Sequence, residues 1–111
     1  MGSKRCFEWA KESGATSIVA ASTAAVYGNT DQFPLAEDSK LDPMSPYAEY
    51  KLRMEELLSE YNTVDLNCTA LRFFNVFGEG QRATGGYVSA VPIFLKQYNS
   101  YQPITVTGDG Q

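Results

Sequence analysis

Residues 17 to 22 read SIVAAS, a nearly continuous apolar run. A strand of this kind is covered on both faces, as in a parallel sheet, so it needs layers of helix above and below it. The stretch DLNCTALRFFNVFG starts in alternation and becomes solidly apolar, which predicts a second buried strand at about 66 to 74. Between the two lies SPYAEYKLRMEELLSEY, where Ser45 is a good N-cap and Pro46 suits the first helical position. The helix is predicted to run to about Tyr61, with Tyr50, Met54, Leu57, Leu58 and Tyr61 as its apolar stripe.

The remaining segments fit the same layered plan. Residues 4 to 13 read as the end of a helix carrying Phe7, Trp9 and Ala10, and Gly14 supplies its stop. Tyr27 to Pro46 is rich in Gly, Asn, Asp, Ser and Pro and reads as a long loop, a length usually associated with function or disorder. YVSAVPIFLKQY is expected to be a short helix interrupted or reset near Pro92, and PITVTG a third, short strand. The order helix, strand, loop, helix, strand, helix, strand is that of an α/β layer with parallel strands. Three strands make a thin sheet, and the chain begins within a helix and stops at GDGQ just after a strand. It is therefore expected to be a piece of a longer protein.

Composition narrows the function classes. A net charge of -4 argues against a nucleic-acid surface, which needs clustered Lys and Arg. No apolar run approaches the roughly 20 residues of a membrane span, and the start lacks a signal-peptide core, so the cytoplasm is the expected location. The two cysteines, Cys6 and Cys68, sit among apolar neighbours without CxxC spacing and are expected to be buried free thiols. There is no histidine, which excludes a serine-histidine triad and a histidine metal site.

The chemistry that remains available centres on Tyr47 and Lys51, four residues apart at a helix start and so on one face. A free phenol has a pKa of about 10, and a neighbouring ammonium favours its phenolate, which makes a proton shuttle without histidine. Taken alone the pair is common on ordinary helices. Its neighbours change the reading, because in an open α/β sheet ligands bind beyond the carboxyl ends of the strands. Thr23 follows the first apolar strand and Asn75 the second. A hydroxyl and an amide there could serve a neutral polar ligand, or each could be a local turn-former.

The ordered set ASTAAVYG, SPYAEYK, LRFFNVFGEGQ and ITVTGDGQ resembles the middle portion of the NAD-dependent epimerase/dehydratase family, the extended short-chain dehydrogenases acting on nucleotide sugars. The resemblance covers nearly the whole chain. It implies a partial Rossmann-like, doubly wound parallel sheet. Residues 1–75 would be part of the NAD-binding domain with the catalytic helix, and 76–111 the start of the nucleotide-sugar-binding region. Tyr47 would be the base that takes a proton from a sugar hydroxyl while NAD accepts hydride, and Lys51 would hold the nicotinamide ribose beside it. Thr23 would hydrogen-bond the reacting oxygen. Phe73 would lie where backbone groups approach the nicotinamide, Asn75 at the sugar-nucleotide phosphates, and Thr105 and Thr107 near the nucleotide base. The complete protein would be a homodimer.

Ala24 and Ala25 stand where sugar 4,6-dehydratases of the family typically carry Asp and Glu. Elimination would lack its acid and base, so the resemblance favours an epimerase over a dehydratase, decarboxylase or reductase. Two features depart from the family pattern. Tyr50 replaces a small residue before the lysine, and the glycine-rich pyrophosphate turn is absent. GEGQRA, residues 78 to 83, matches GxGxxA but is followed by TGGYV rather than a helix, with no acidic residue about 20 positions on. The chain by itself is accordingly expected to bind no NAD. An inactive remnant held by a partner through an exposed sheet edge is the alternative to an enzyme.

Overall fold

A computed structural model describes residues 2–82, 85, 88–106 and 108. The chain divides into two compact units, Met1–Phe74 and Asn75–Gln111.

The first unit begins with α1 (Gly2–Glu12), which ends where Gly14 takes φ +76° and the amides of Ser13, Gly14 and Ala15 return to carbonyls of the last turn. Strand β1 (Ser17–Thr23) follows, then a 3-10 turn (Ala24–Tyr27). A loop then leads to α2 (Pro46–Tyr61), and β2 (Asn67–Phe73) closes the unit. The predicted α2 boundaries hold. The Ser45 hydroxyl accepts from the Ala48 amide at 3.2 Å, and Pro46 sits where no amide is needed.

β1 and β2 pair in parallel, from Ser17 opposite Asn67 to Thr23 opposite Phe73. The pair makes an α/β layer. Phe7 of α1, Ala20 of β1 and Leu58 of α2 form the core, with Ile18, Met54, Leu57, Tyr61, Cys68 and Ala70 packed around them. Phe7 and Tyr61 meet edge to face at 5.7 Å between ring centroids. Leu58 is 2% exposed, so its truncation to Ala is worth roughly 3 kcal/mol.

Several expectations need correction. Among the described residues the strands are covered on one face only. Ile18, Ala20 and Ser22 face the helices, while Val19 at 64% exposure and Leu71 at 42% stand open on the other face. The apolar run of β1 therefore matches a two-sided strand although the described residues cover one side. Tyr50 leaves the predicted stripe and is exposed, because the packed line runs through Met54, Leu57, Leu58 and Tyr61. Both cysteines are free, but Cys6 is exposed on α1 and only Cys68 is partly buried.

In the second unit α3 (Ala90–Asn99) runs uninterrupted through Pro92. Pro92 is the third residue of the helix, where a missing amide breaks no helical hydrogen bond. The third strand does not form among the described residues. Instead of a strand partner, the Thr105 amide finds the Gln97 side-chain oxygen at 3.2 Å, and the Gln97 amide donates to the Thr105 hydroxyl at 2.9 Å. Thus among the described residues the sheet has two strands rather than the expected three. No helix among the described residues is long and apolar enough to cross a membrane.

Candidate active site

Tyr47 and Lys51 occupy the first turns of α2, the position set by the Ser45 cap. The Lys51 ammonium lies 5.9 Å from the centre of the Tyr47 ring. It donates to the backbone carbonyl of Ala21 at 2.8 Å, near the carboxyl end of β1. An ammonium carries three donors, so two others remain for a ligand. The Tyr47 side chain is largely exposed and open to a polar partner.

Thr23 is the last residue of β1 and N-caps the 3-10 turn, its hydroxyl accepting from the Ala25 amide at 3.2 Å. The turn-forming role is thus realised. The hydroxyl proton is left over, so capping is compatible with donation to a ligand oxygen. Phe73 is the last residue of β2 and the register partner of Thr23. The fold therefore brings Thr23, Tyr47, Lys51 and Phe73 into one unit, three of them tied directly to the carboxyl ends of the strands. Asn75 and Thr105 belong to the second unit, Asn75 exposed at its start and Thr105 engaged with Gln97. Thr107 lies outside the described residues.

Sequence reasoning missed the group just behind this constellation. Glu55, one turn after Lys51, receives the Ser22 hydroxyl and the Arg72 guanidinium. Arg72 approaches it with Nη2 at 2.7 Å and Nε at 3.1 and 3.2 Å from the two carboxylate oxygens. The remaining Arg72 nitrogen, Nη1, donates to the Tyr27 hydroxyl and to the Glu37 backbone carbonyl, both at 2.9 Å. Arg72 also stacks over the Tyr27 ring at 4.9 Å. The side chains of Arg72 and Glu55 are 20% and 10% exposed.

The electrostatics follow from these contacts. Burial pushes the Glu55 carboxyl up, but the hydrogen bonds from Arg72 and Ser22 and the Arg72 charge outweigh it, leaving the group below its ordinary value. Arg72 is driven further toward its charged form by its bonds to Glu55, against the cost of burial. Partial burial alone raises the Cys68 thiol. Two signals could have revealed the network. Arg72 interrupts an apolar strand, and Glu55 continues the four-residue spacing of Tyr47 and Lys51.

A cleft of about 570 Å³ runs along residues 69–74 of the β2 segment, bordered by Tyr27, Leu35, Glu37 and Glu55. A second of about 590 Å³ opens beside the 3-10 turn, against Gly28, Asn29 and Phe33. Neither is lined by Tyr47 or Lys51. The chemistry available at that pair is proton transfer at an exposed phenol beside an ammonium, on the rim of a parallel sheet.

The chain spans about a third of the length of the relatives it matches. It is 36% identical over 109 residues to an uncharacterized UDP-glucose epimerase of Bacillus subtilis, an alignment covering 97% of this chain and 33% of that protein. It superposes with a TM-score of 0.90 and 32% identity on a UDP-N-acetylglucosamine 4-epimerase from Methanobrevibacter ruminantium M1 in complex with UDP-N-acetylmuramic acid, covering 97% of this chain and 35% of that one. With UDP-glucuronic acid 4-epimerase from Bacillus cereus in complex with NAD, the TM-score is 0.82 at 31% identity, covering 99% and 35%. These neighbours give the parallel α/β layer its place in a Rossmann-like fold. Since a sequence model of the same family matches residues 1–111, the likeness holds along the whole chain, which belongs to the NAD dependent epimerase/dehydratase family.

Proposed function

We propose that this chain supplies the proton-transfer part of an NAD-dependent nucleotide-sugar 4-epimerase. The observation that carries the reading is the Tyr47–Lys51 pair, fixed to β1 through the Ala21 carbonyl. In this reading Tyr47 takes the proton of a sugar hydroxyl and later returns it. The Lys51 ammonium, held beside the Tyr47 ring, offers its two remaining donors to ribose hydroxyls. Thr23 donates its hydroxyl proton to the reacting sugar oxygen, while its own oxygen holds the Ala25 amide.

NAD, when bound, supplies the acceptor and donor of hydride. The residues present fit its nicotinamide end, where Tyr47, Lys51 and the backbone around Phe73 offer a phenol, an ammonium and strand-end amides. They do not fit its pyrophosphate end. Among the described residues the Gly78–Arg82 stretch is followed by no helix before Ala90, so nothing described there joins a glycine turn to a helix N-terminus. Asn75, Thr105 and Thr107 are proposed for the phosphates and base of the sugar nucleotide, with residues 76–111 as the start of that region. A homodimeric complete protein working in the cytoplasm belongs to the same proposal.

Ala24 and Ala25 support epimerisation over dehydration, since neither can act as an acid or base. The test is a protein in which this chain stands in the matching third of UDP-glucuronic acid 4-epimerase, assayed with and without Tyr47→Phe. The expected result is a loss of turnover by roughly 10²- to 10⁴-fold with NAD still bound. Undiminished turnover in Tyr47→Phe would sink the proposal.

A further inference from the structure

We propose that Glu55 is a positioning residue for this site. It locks the carboxyl ends of β1 and β2 in the register that Lys51 and Thr23 require. The argument rests on the reading of Tyr47 and Lys51 given above and on the order of residues along three elements.

Ser22 and Arg72 are register partners across the parallel pair, and both donate to the Glu55 carboxylate. One position further on, Thr23 and Phe73 are the next register partners. One position back, Ala21 gives the carbonyl that receives the Lys51 ammonium. A single carboxylate thus holds the central pair of three consecutive rungs, and the rungs on either side carry the site. The helix is the common support, since Lys51 and Glu55 lie four residues apart on one face of α2.

This arrangement differs from a contact that only adds stability. Ser22 is 4% exposed, so its hydroxyl needs a partner. Without the carboxylate it would turn toward another acceptor, and the peptide planes on either side of Ser22 would be free to follow. One of those planes contains the Ala21 carbonyl, and the other contains the Thr23 amide. Arg72 adds a second constraint by donating to the Glu37 carbonyl and the Tyr27 hydroxyl, which ties the loop after the 3-10 turn to the same point. The carboxylate also pairs with the guanidinium, so Arg72 is not left as an uncompensated, mostly buried charge.

The test uses the 111-residue chain without cofactor or substrate, so its outcome and that of the turnover assay can fail separately. The readout is hydrogen exchange of the Lys51 ammonium by nitrogen-15 NMR, assigned by its absence in Lys51→Met. Amide dispersion reports whether the fold is retained. Glu55→Gln and Ser22→Ala are each expected to speed this exchange roughly tenfold in molecules that remain folded, as loss of a hydrogen bond to a charged group allows. Ser22→Thr, which keeps the hydroxyl, is expected to restore the parent rate. Folded Glu55→Gln and Ser22→Ala chains with unchanged Lys51 exchange would overturn the proposal, because losing a purely stabilising carboxylate lowers the melting temperature and leaves the ammonium alone. If Glu55→Gln does not fold, Ser22→Ala, which leaves the Arg72 pair intact, decides the matter by itself.

Discussion

Lys51 reaches from α2 to the backbone carbonyl of Ala21, 2.8 Å away, and so couples the helix that carries the phenol to the strand that ends in Thr23. A lysine serving only solubility would leave its ammonium in water. Lys51→Met keeps the stem and removes the charge, and its stability cost should be about 1 kcal/mol or less, because the contact is partly solvated. In the grafted protein the same change should lower turnover by roughly 10²-fold or more, measured against NAD occupancy. Equal turnover of the two would remove Lys51 from the site.

Glu55 should make the stability of the chain sensitive to acid. Its carboxyl is held below the ordinary value of 4.5, so the folded state binds its proton less readily than the unfolded state does. The stabilisation is fully present above that ordinary value and is lost as pH falls through the lower folded value. Glu55→Gln should cost roughly 2 kcal/mol near neutrality, at the low end for a mostly buried pair, with the gap to the parent closing below about pH 4.5. Denaturant melts from neutrality to acid would check it, and a gap constant with pH would contradict it.

Gly28 follows the 3-10 turn with φ +67°, and a Cβ placed there would overlap the Asp42 carbonyl. The amide of Asp42 bonds the Val26 carbonyl at 2.9 Å, so that neighbour cannot withdraw cheaply. Gly28→Ala should destabilise by roughly 2 kcal/mol or more, combining left-handed strain with the clash. A thermal melt indistinguishable from the parent would show that the loop relaxes freely.

Calorimetric titration of the 111-residue chain with NAD should give no saturable heat. The described residues offer the nicotinamide end a phenol and an ammonium but give the pyrophosphate no glycine turn opening a helix. Saturable binding would point to the Gly78–Arg82 stretch as the anion seat.

The parts of the fold legible in the sequence were those with local causes. Ser45 and Pro46 fix the start of α2, Gly14 ends α1, and the two apolar runs become the two strands. What was not legible depended on partners distant in the sequence. PITVTG has strand composition, yet Gln97 takes the Thr105 amide that a strand neighbour would need. Tyr50 has the right period for the stripe but lies beyond the reach of the core around Phe7 and Leu58. At the site, Tyr47, Lys51 and Thr23 stood out by spacing and context. Glu55 did not stand out, because its value comes from Ser22, 33 residues before it, and Arg72, 17 after.

The two anchors of α2 have a consequence for how this segment tolerates length changes. Lys51 and Glu55 engage neighbouring residues of β1, so their separation along the helix is a gauge that must not change. A residue inserted between them would swing everything on one side by about 100° and release one anchor. An insertion in the loop before Ser45 leaves the gauge untouched. Variation in length should therefore accumulate ahead of the helix cap and stop by Lys51, the first residue of a stretch whose spacing is held by geometry.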